Sequence, residues 1–440
     1  MGKWNREPLR ISDNRRYFME GSAPFLWLGD TAWLLLQKPD EADAVRYLRN
    51  RKEKGYNIIQ TVLVHTLPGI SASGCSLAPG IKDVTESSYW ESVDRILKHA
   101  EELGLYLGLL PAWGSLVKDG VLNGTNITEY AEFLGKRFKK RPNIVWILGG
   151  DVRGDAAPEV FRMKAEILKK HDPERLIGFH PFGRTSSSLW FHDADWLDFN
   201  MFQSGHRRYD QVCLGEWDDN AARETFYGED SWKYVERDLG YDTAKPTLDG
   251  EPSYERIPQG LHDPRNPYWE DRDVRRYAYW SLFAGAAGHT YGSNAVMQFY
   301  NPKEGAGAYG VRESWQDALH LPGSSQMRYL KELMESVDFV NGRADDSLLL
   351  YGQKERYHRI AVFAGADYLL CYDYNGDEFM LDLSRYGNRP LNAYWMNPQD
   401  GTYSYIDTLQ DVPKWKVRPV ARSGDANDWV LVIRARTASC

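Results

Sequence analysis

Asn143-Ile-Val-Trp-Ile-Leu-Gly-Gly-Asp151 decides the fold. A continuous apolar run is the mark of a parallel strand buried on both faces. A carboxylate at its end, with glycine beside it, is how such a strand delivers a side chain into a cavity at the carboxyl edge of a barrel. Glu251 likewise sits beside glycine where a strand runs out, in Lys245-Pro-Thr-Leu-Asp-Gly-Glu-Pro252. Two carboxylates on separate strands of one sheet are what acid/base cleavage of a glycosidic bond requires.

On either side of these two stretches, strand-like and helix-like segments alternate. Strands are expected at Phe25–Asp30, Asn57–Val64, Tyr106–Trp113, Asn143–Leu148, Leu176–His180, Leu197–Phe202, Pro246–Leu248 and Gly288–Ser293. Helical periodicity lies between them, for example Val93, Ile96, Leu97, Ala100 and Leu103, stopped by Gly104. A helix over Pro158–His171 must end by Asp172, because Pro173 disfavours helical geometry before it. Eight strand-then-helix units predict an α/β chain folded as a (β/α)8 TIM barrel, and the interval from Asp151 to Glu251 fits three units of ~30 residues. After residue 344 the helical period vanishes. Short apolar strands (Leu348–Tyr351, Ile360–Phe363, Tyr368–Tyr374, Phe379–Leu383, Ala393–Met396, Trp429–Ile433) alternate with turns such as Asn375-Gly376. The reading is a catalytic barrel over 1–344 and a small C-terminal β-sandwich over 345–440.

Composition narrows the function. A net charge of −8 argues against a nucleic-acid surface, which needs clustered Lys and Arg. No stretch reaches the roughly 18 apolar residues of a membrane span. Cys75, Cys213, Cys371 and Cys440 have neither metal nor framework spacing, which fits free thiols. With no apolar leader in view, the expectation is a cytoplasmic protein, or a secreted one if a leader has been removed. Oligomeric state is not legible. The aromatic content, 16 Trp, 27 Tyr and 16 Phe, is high, and much of it sits near polar strand ends, where flat rings can cover the apolar faces of a sugar.

Strand ends read in order give Asp30 and Trp33, His65, Trp113, Asp151, His180, Gln203 and His206, Glu251, then His289 and Tyr291. Asp151 and Glu251 are the catalytic candidates and the others the substrate-binding set. Each binder has a structural alternative: Asp30 as a turn cap, His65 and His180 as buried imidazoles, Trp113 and Tyr291 as packing. Asp249, two residues before Glu251, is its rival for the catalytic role. Asp155 and Glu255 are expected to be solvated or paired with Arg153 and Arg256. Gly305-Ala-Gly-Ala-Tyr-Gly310 matches G-x-G-x-x-G but follows no strand, so it reads as a loop at the barrel mouth and not as a dinucleotide site. No cofactor and no metal is implied.

Pro24-Phe-Leu-Trp-Leu-Gly-Asp-Thr-Ala-Trp33, the Asp151 stretch, Leu248-Asp-Gly-Glu-Pro-Ser-Tyr-Glu255 and Gly288-His-Thr-Tyr-Gly292 together resemble the apiosidase-like barrels of glycoside hydrolase family 140. Ala393-Tyr-Trp-Met-Asn-Pro398 and Asp428-Trp-Val-Leu-Val432 resemble the domain labelled collagen-binding that accompanies them, although no exposed basic or aromatic strip in the sequence supports that label. The resemblance implies an enzyme acting on apiose-linked sugars of pectic side chains, with the family's catalytic aspartate on Asp151 and its glutamate on Glu251. The layout is also similar to the wider group of barrel glycosidases with acid/base on strand four and nucleophile on strand seven. That group carries Asn-Glu where this chain has Gly150-Asp151, a shorter reach that bears on retention or inversion. The expectation is a glycoside hydrolase, with Asp151 as acid/base and Glu251 as nucleophile, roles that could be exchanged. The alternatives are the same chemistry on a mannoside, galactoside or glucoside, or a carbohydrate-binding protein without catalysis.

Overall fold

The structure is a computed structural model that describes residues 4, 6–67, 69–70, 76–77, 84–85, 87–211, 227–420 and 427–436. Eight parallel strands form the central sheet: β1 (Trp27–Thr31), β2 (Ile58–Val62), β3 (Tyr106–Leu110), β4 (Ile144–Val152), β5 (Ile177–Pro181), β6 (Asn200–Phe202), β7 (Thr247–Asp249) and β8 (Gly288–Tyr291). Their order, β5-β4-β3-β2-β1-β8-β7-β6, is that of a barrel opened between β5 and β6. Asp198 bridges this seam. Its N–H donates to the Ile177 carbonyl (2.9 Å) and its carboxylate accepts the Ile177 N–H (2.7 Å), so the sheet is nearly closed.

Helices α1 (Glu41–Glu53), α2 (Tyr89–Glu102), α3 (Ile127–Phe138), α4 (Pro158–His171), α5 (Ser188–Phe191), α6 (Ser231–Leu239), α7 (Asp271–Phe283) and α8 (Pro322–Glu335) surround the sheet. Their ends follow local chemistry. The Asp40 carboxylate accepts the Asp43 N–H (2.8 Å) and starts α1, and α4 stops at His171, two residues before Pro173.

Alternation along each strand sorts side chains into two layers. Val145 and Ile147 join the core inside the barrel, whereas Trp146 and Leu148 join the cluster beneath the helices. The sequence did not reveal a small antiparallel sheet of Leu9–Ile11, Phe18–Glu20 and Ala23–Phe25. From it, Phe18 packs on Trp27 and Phe199, with ring centroids 5.6 and 5.3 Å away, and plugs the end of the barrel where the strands begin.

The C-terminal region holds two antiparallel sheets, of six and three strands. Its central strands Ile360–Ala364, Tyr368–Asp373 and Trp429–Ala435 are mostly apolar, with charge only at Asp373 and Arg434 near their ends, because both faces are covered. Ile360, Val362, Cys371, Leu431 and Ile433 face the three-stranded sheet, while Phe363, Leu370, Tyr372 and Val432 share one core with the barrel. Arg275 of α7 grips Asp428 through both oxygens, each at 2.8 Å, and Tyr279 stacks on Tyr372 at 4.5 Å. Cys371 is a buried free thiol, and the other three cysteines lie outside the described residues. Among the described residues, no helix is long and apolar enough to cross a membrane.

Candidate active site

Asp151 reaches its position through a bulge. Pairing of β5 with β4 runs regularly to His180 opposite Gly149, then jumps to Pro181 opposite Val152, so Gly150 and Asp151 have no partner. Gly149, Gly150 and Asp151 all have positive φ (83°, 105° and 53°). A Cβ on Gly149 would stand 2.2 Å from the His180 carbonyl oxygen, and one on Gly150 2.9 Å from the Trp113 ring, so the paired glycines are a steric requirement. The bulge lifts Asp151 out of the strand. Its side chain meets solvent through the hollow above the barrel but is otherwise walled by protein. That desolvation, together with the negative charge of Glu251, raises its pKa from 3.8 to about 6.

Glu251 lies just past the end of β7. Gln60 Nε2 holds the Gly250 carbonyl (2.9 Å) from across the barrel, and the Gly205 N–H holds the Glu251 carbonyl (3.1 Å). His206 Nε2 lies 3.0 Å from Oε1 and His180 Nε2 lies 3.2 Å from Oε2. The His180 contact is close but off the hydrogen-bond axis, so His206 makes the better-aligned bond. Burial pushes the Glu251 pKa up, but the two imidazoles outweigh it and bring the value down to about 2. His180 also touches the other carboxylate's backbone, since the Asp151 N–H donates to its Nδ1 (3.3 Å). Accepting there leaves the ring proton on Nε2, the nitrogen on the Glu251 side of the ring.

Both carboxylates line one hollow of about 330 Å³ at the carboxyl ends of the strands. Trp33, His65, Trp113, Gln203 and His206 line it as well, while His180 lies buried beneath. His65 stacks on Trp113 at 5.1 Å, and Trp113 meets Trp33 at 5.1 Å, giving a continuous aromatic wall. Burial lowers the His65 pKa to about 4, so it is neutral at pH 7. Gln203 Oε1 and His206 Nδ1 are buried without a hydrogen-bond partner among the described residues, and both belong to side chains that line the hollow.

Sequence reasoning missed the rest of the lining. Arg184, Arg207 and Lys38 add positive charge, and Ile257, Leu261 and Met297 form an apolar side. These come from loops and short helical turns, where no periodic pattern marks them. Tyr309 of the glycine-rich segment also lines the hollow, and its φ of 53° reflects the tight path of a loop that follows no strand.

Asp30, His180, His289 and Tyr291 do not line the hollow, which corrects the expectation that they bind substrate. Asp30 pairs with Tyr291 in register, and both point out toward the helices. Asp30 Oδ2 accepts from Tyr47 (2.5 Å) and Arg51 (2.6 Å) of α1, with all exposure lost. Tyr291 donates to Glu255 (2.5 Å), so Glu255 is neither solvated nor bound to Arg256; Asp155 does pair with Arg153 (2.6 Å). His289 is fully buried, shares a face with Leu28 and Asp249, and is held neutral by a pKa near 3. Asp249 accepts from Ser204 (2.5 Å) and stays protonated, its pKa raised to about 8 by burial. The strand ends there, and the turn at Gly250 sends Glu251, not Asp249, into the hollow. Among the described residues no cluster of His, Cys, Asp or Glu could hold a metal ion.

This geometry has relatives. Residues 12–341 match the family model described as "Apiosidase-like, catalytic domain", and residues 344–434 match "Putative collagen-binding domain of a collagenase". A solved structure described as a glycoside hydrolase is 40% identical, with 98% of each chain covered and a TM-score of 0.93. A second, described as a glycoside hydrolase family 5 protein from Bacteroides vulgatus ATCC 8482, is 39% identical, with 97% of this chain and 94% of that one covered and a TM-score of 0.91. No curated protein matches the chain. The chain belongs to the apiosidase-like family, and it is a glycoside hydrolase.

Proposed function

We propose that this enzyme hydrolyses the linkage of an apiose-bearing or related pectic side-chain sugar, with Glu251 as nucleophile and Asp151 as general acid/base in a retaining mechanism. The observation that carries the assignment of roles is the opposite displacement of two carboxyls in one hollow. Glu251 remains ionised down to a pH of about 2, and Asp151 keeps its proton up to about 6.

The chemistry follows from those states. Glu251 attacks the anomeric carbon as Asp151 donates its proton to the departing glycosidic oxygen. Once Glu251 is esterified its negative charge is gone, and so is one of the two effects that raise the Asp151 pKa. Asp151, having given up its proton, is then more readily kept ionised and takes a proton from the water that attacks the glycosyl-enzyme and frees Glu251. The aromatic wall of Trp33, His65 and Trp113 suits a sugar face, and Gln203 Oε1 and His206 Nδ1 suit its hydroxyls.

The pectic substrate is supported by the family's description and by the size and aromatic lining of the hollow. The test is turnover of apiosyl pectic oligosaccharides beside aryl mannosides, galactosides and glucosides, with Asp151→Asn and Glu251→Gln as controls. Preferred cleavage of the apiosyl linkage with product of retained anomeric configuration supports the proposal. Preferred cleavage of another glycoside would replace the substrate. Sugar binding with no hydrolysis by the wild type would replace the function.

A further inference from the structure

We infer that the C-terminal sandwich contributes to catalysis through Tyr357, a positioning residue that fixes the loop carrying His206. The inference rests on Glu251 being catalytic. Its basis is a single buried carboxylate, Glu229, on which three parts of the molecule converge. Glu229 Oε1 accepts the Tyr357 phenol of the sandwich (2.6 Å) and the backbone N–H of Tyr209 (3.3 Å), and Oε2 accepts Arg276 of α7 (2.5 Å). Tyr209 lies three residues beyond His206, whose ring holds Glu251. One hydrogen bond from the second domain thus ends on the group that anchors the segment leading to the nucleophile's strongest partner.

The surroundings make this a clamp with little play. The Tyr209 phenol donates to Asp230 (2.5 Å), next to Glu229, so ring and backbone of one residue are held by adjacent carboxylates. Tyr357 meets the Tyr209 ring edge-on at 5.5 Å, and the Arg356 guanidinium covers that ring at 4.8 Å. Arg276 is itself held by Asp273 (3.0 Å) and lies over the Tyr357 ring at 4.8 Å. His206 needs such support. Its φ is 75°, in a region that non-glycine residues enter only when neighbours enforce it, and its ring must stay within hydrogen-bond reach of Glu251. By contrast, another contact between barrel and sandwich, Arg275 on Asp428, which also accepts from Tyr372 within the sandwich, leads to no residue of the hollow.

The test compares Tyr357→Phe with Tyr372→Phe on any glycoside the wild type turns over. Each removes one phenolic hydrogen bond to a buried carboxylate, the first across the domain interface and the second within the sandwich beside it. Tyr357→Phe is expected to lower kcat about tenfold with KM nearly unchanged, and to move the acidic limb of the pH profile upward as His206 loosens its hold on Glu251. Tyr372→Phe is expected to keep wild-type kcat whatever it does to Tm. In a His206→Gln background, adding Tyr357→Phe should cost nothing further, because both act through one contact. Wild-type kcat in Tyr357→Phe, equal losses in the two Phe variants, or losses that multiply in the double variant would each overturn the inference. Failure here with Glu251→Gln inactive leaves the catalytic assignment standing; an active Glu251→Gln removes the assignment itself.

Discussion

Asp30 and Asp151 both stand at the carboxyl ends of barrel strands, and their fates are opposite. Asp30 continues the regular alternation of β1, so it faces the helices and is held by Tyr47 and Arg51 with no exposure. Asp151 escapes that alternation through the Gly149-Gly150 bulge and opens into the hollow opposite Glu251. A carboxylate at a strand end therefore is locked under the helices or opens into the hollow according to parity and local backbone, not position alone. Parity separates neighbours on β1: Gly29 faces the Trp27 ring and Thr290, so Asp30, one residue on, takes the opposite side.

That contrast can be broken by substitution. Glu251→Gln and Asp151→Asn should fold normally and lose about 10³-fold or more in kcat on the natural linkage, measured beside an unchanged thermal unfolding curve. Asp30→Ala should do the reverse. It leaves the Arg51 charge buried without its partner, costing about 3–5 kcal/mol by denaturant titration while kcat per folded molecule is retained. Loss of turnover at wild-type stability in Asp30→Ala would mean the two sites are not separate. Gly150→Ala tests the bulge: with φ at 105° and Trp113 at 2.9 Å, the methyl should displace Asp151 and lower kcat about tenfold to a hundredfold.

The smallest expected effect is in pH dependence. Glu251 is depressed, so its reactive anion is lost as pH falls through about 2, whereas Asp151 is raised, so its proton is lost as pH rises through about 6. The kcat/KM profile should therefore fall above pH 6. In His206→Gln the acidic limb should move up by about one pH unit, since one of the groups holding Glu251 ionised is weakened. An unmoved limb would show that His206 does not stabilise that anion.

The sequence made the barrel legible because its strands are buried on both sides and so are largely continuous in hydrophobicity, as in Ile144–Leu148 and Tyr106–Leu110. It also marked Asp151, which ends such a run, and Glu251, which follows glycine just past a short buried strand. Strands of three residues with charged members, Leu9–Ile11 and Phe18–Glu20, gave no periodic signal. Neither did the exposed edge strand Tyr403–Leu409, which has little apolar face to bury. Arg184, Arg207 and Tyr309 enter the hollow from loops, whose course depends on tertiary contacts. The Tyr357–Glu229 bond joins residues 128 apart and was out of reach for the same reason.

The central claim assigns different tasks to the two carboxyls, and a leaving-group series tests it most directly. The turnover of Asp151→Asn and Glu251→Gln is measured on aryl glycosides of falling phenol pKa and on the natural linkage. With Asp151 as acid, Asp151→Asn should approach wild-type rates of bond cleavage on the most acidic phenols and fail on the natural linkage, while Glu251→Gln should fail on all. Equal loss across the series in Asp151→Asn, or recovery in Glu251→Gln alone, would contradict the account.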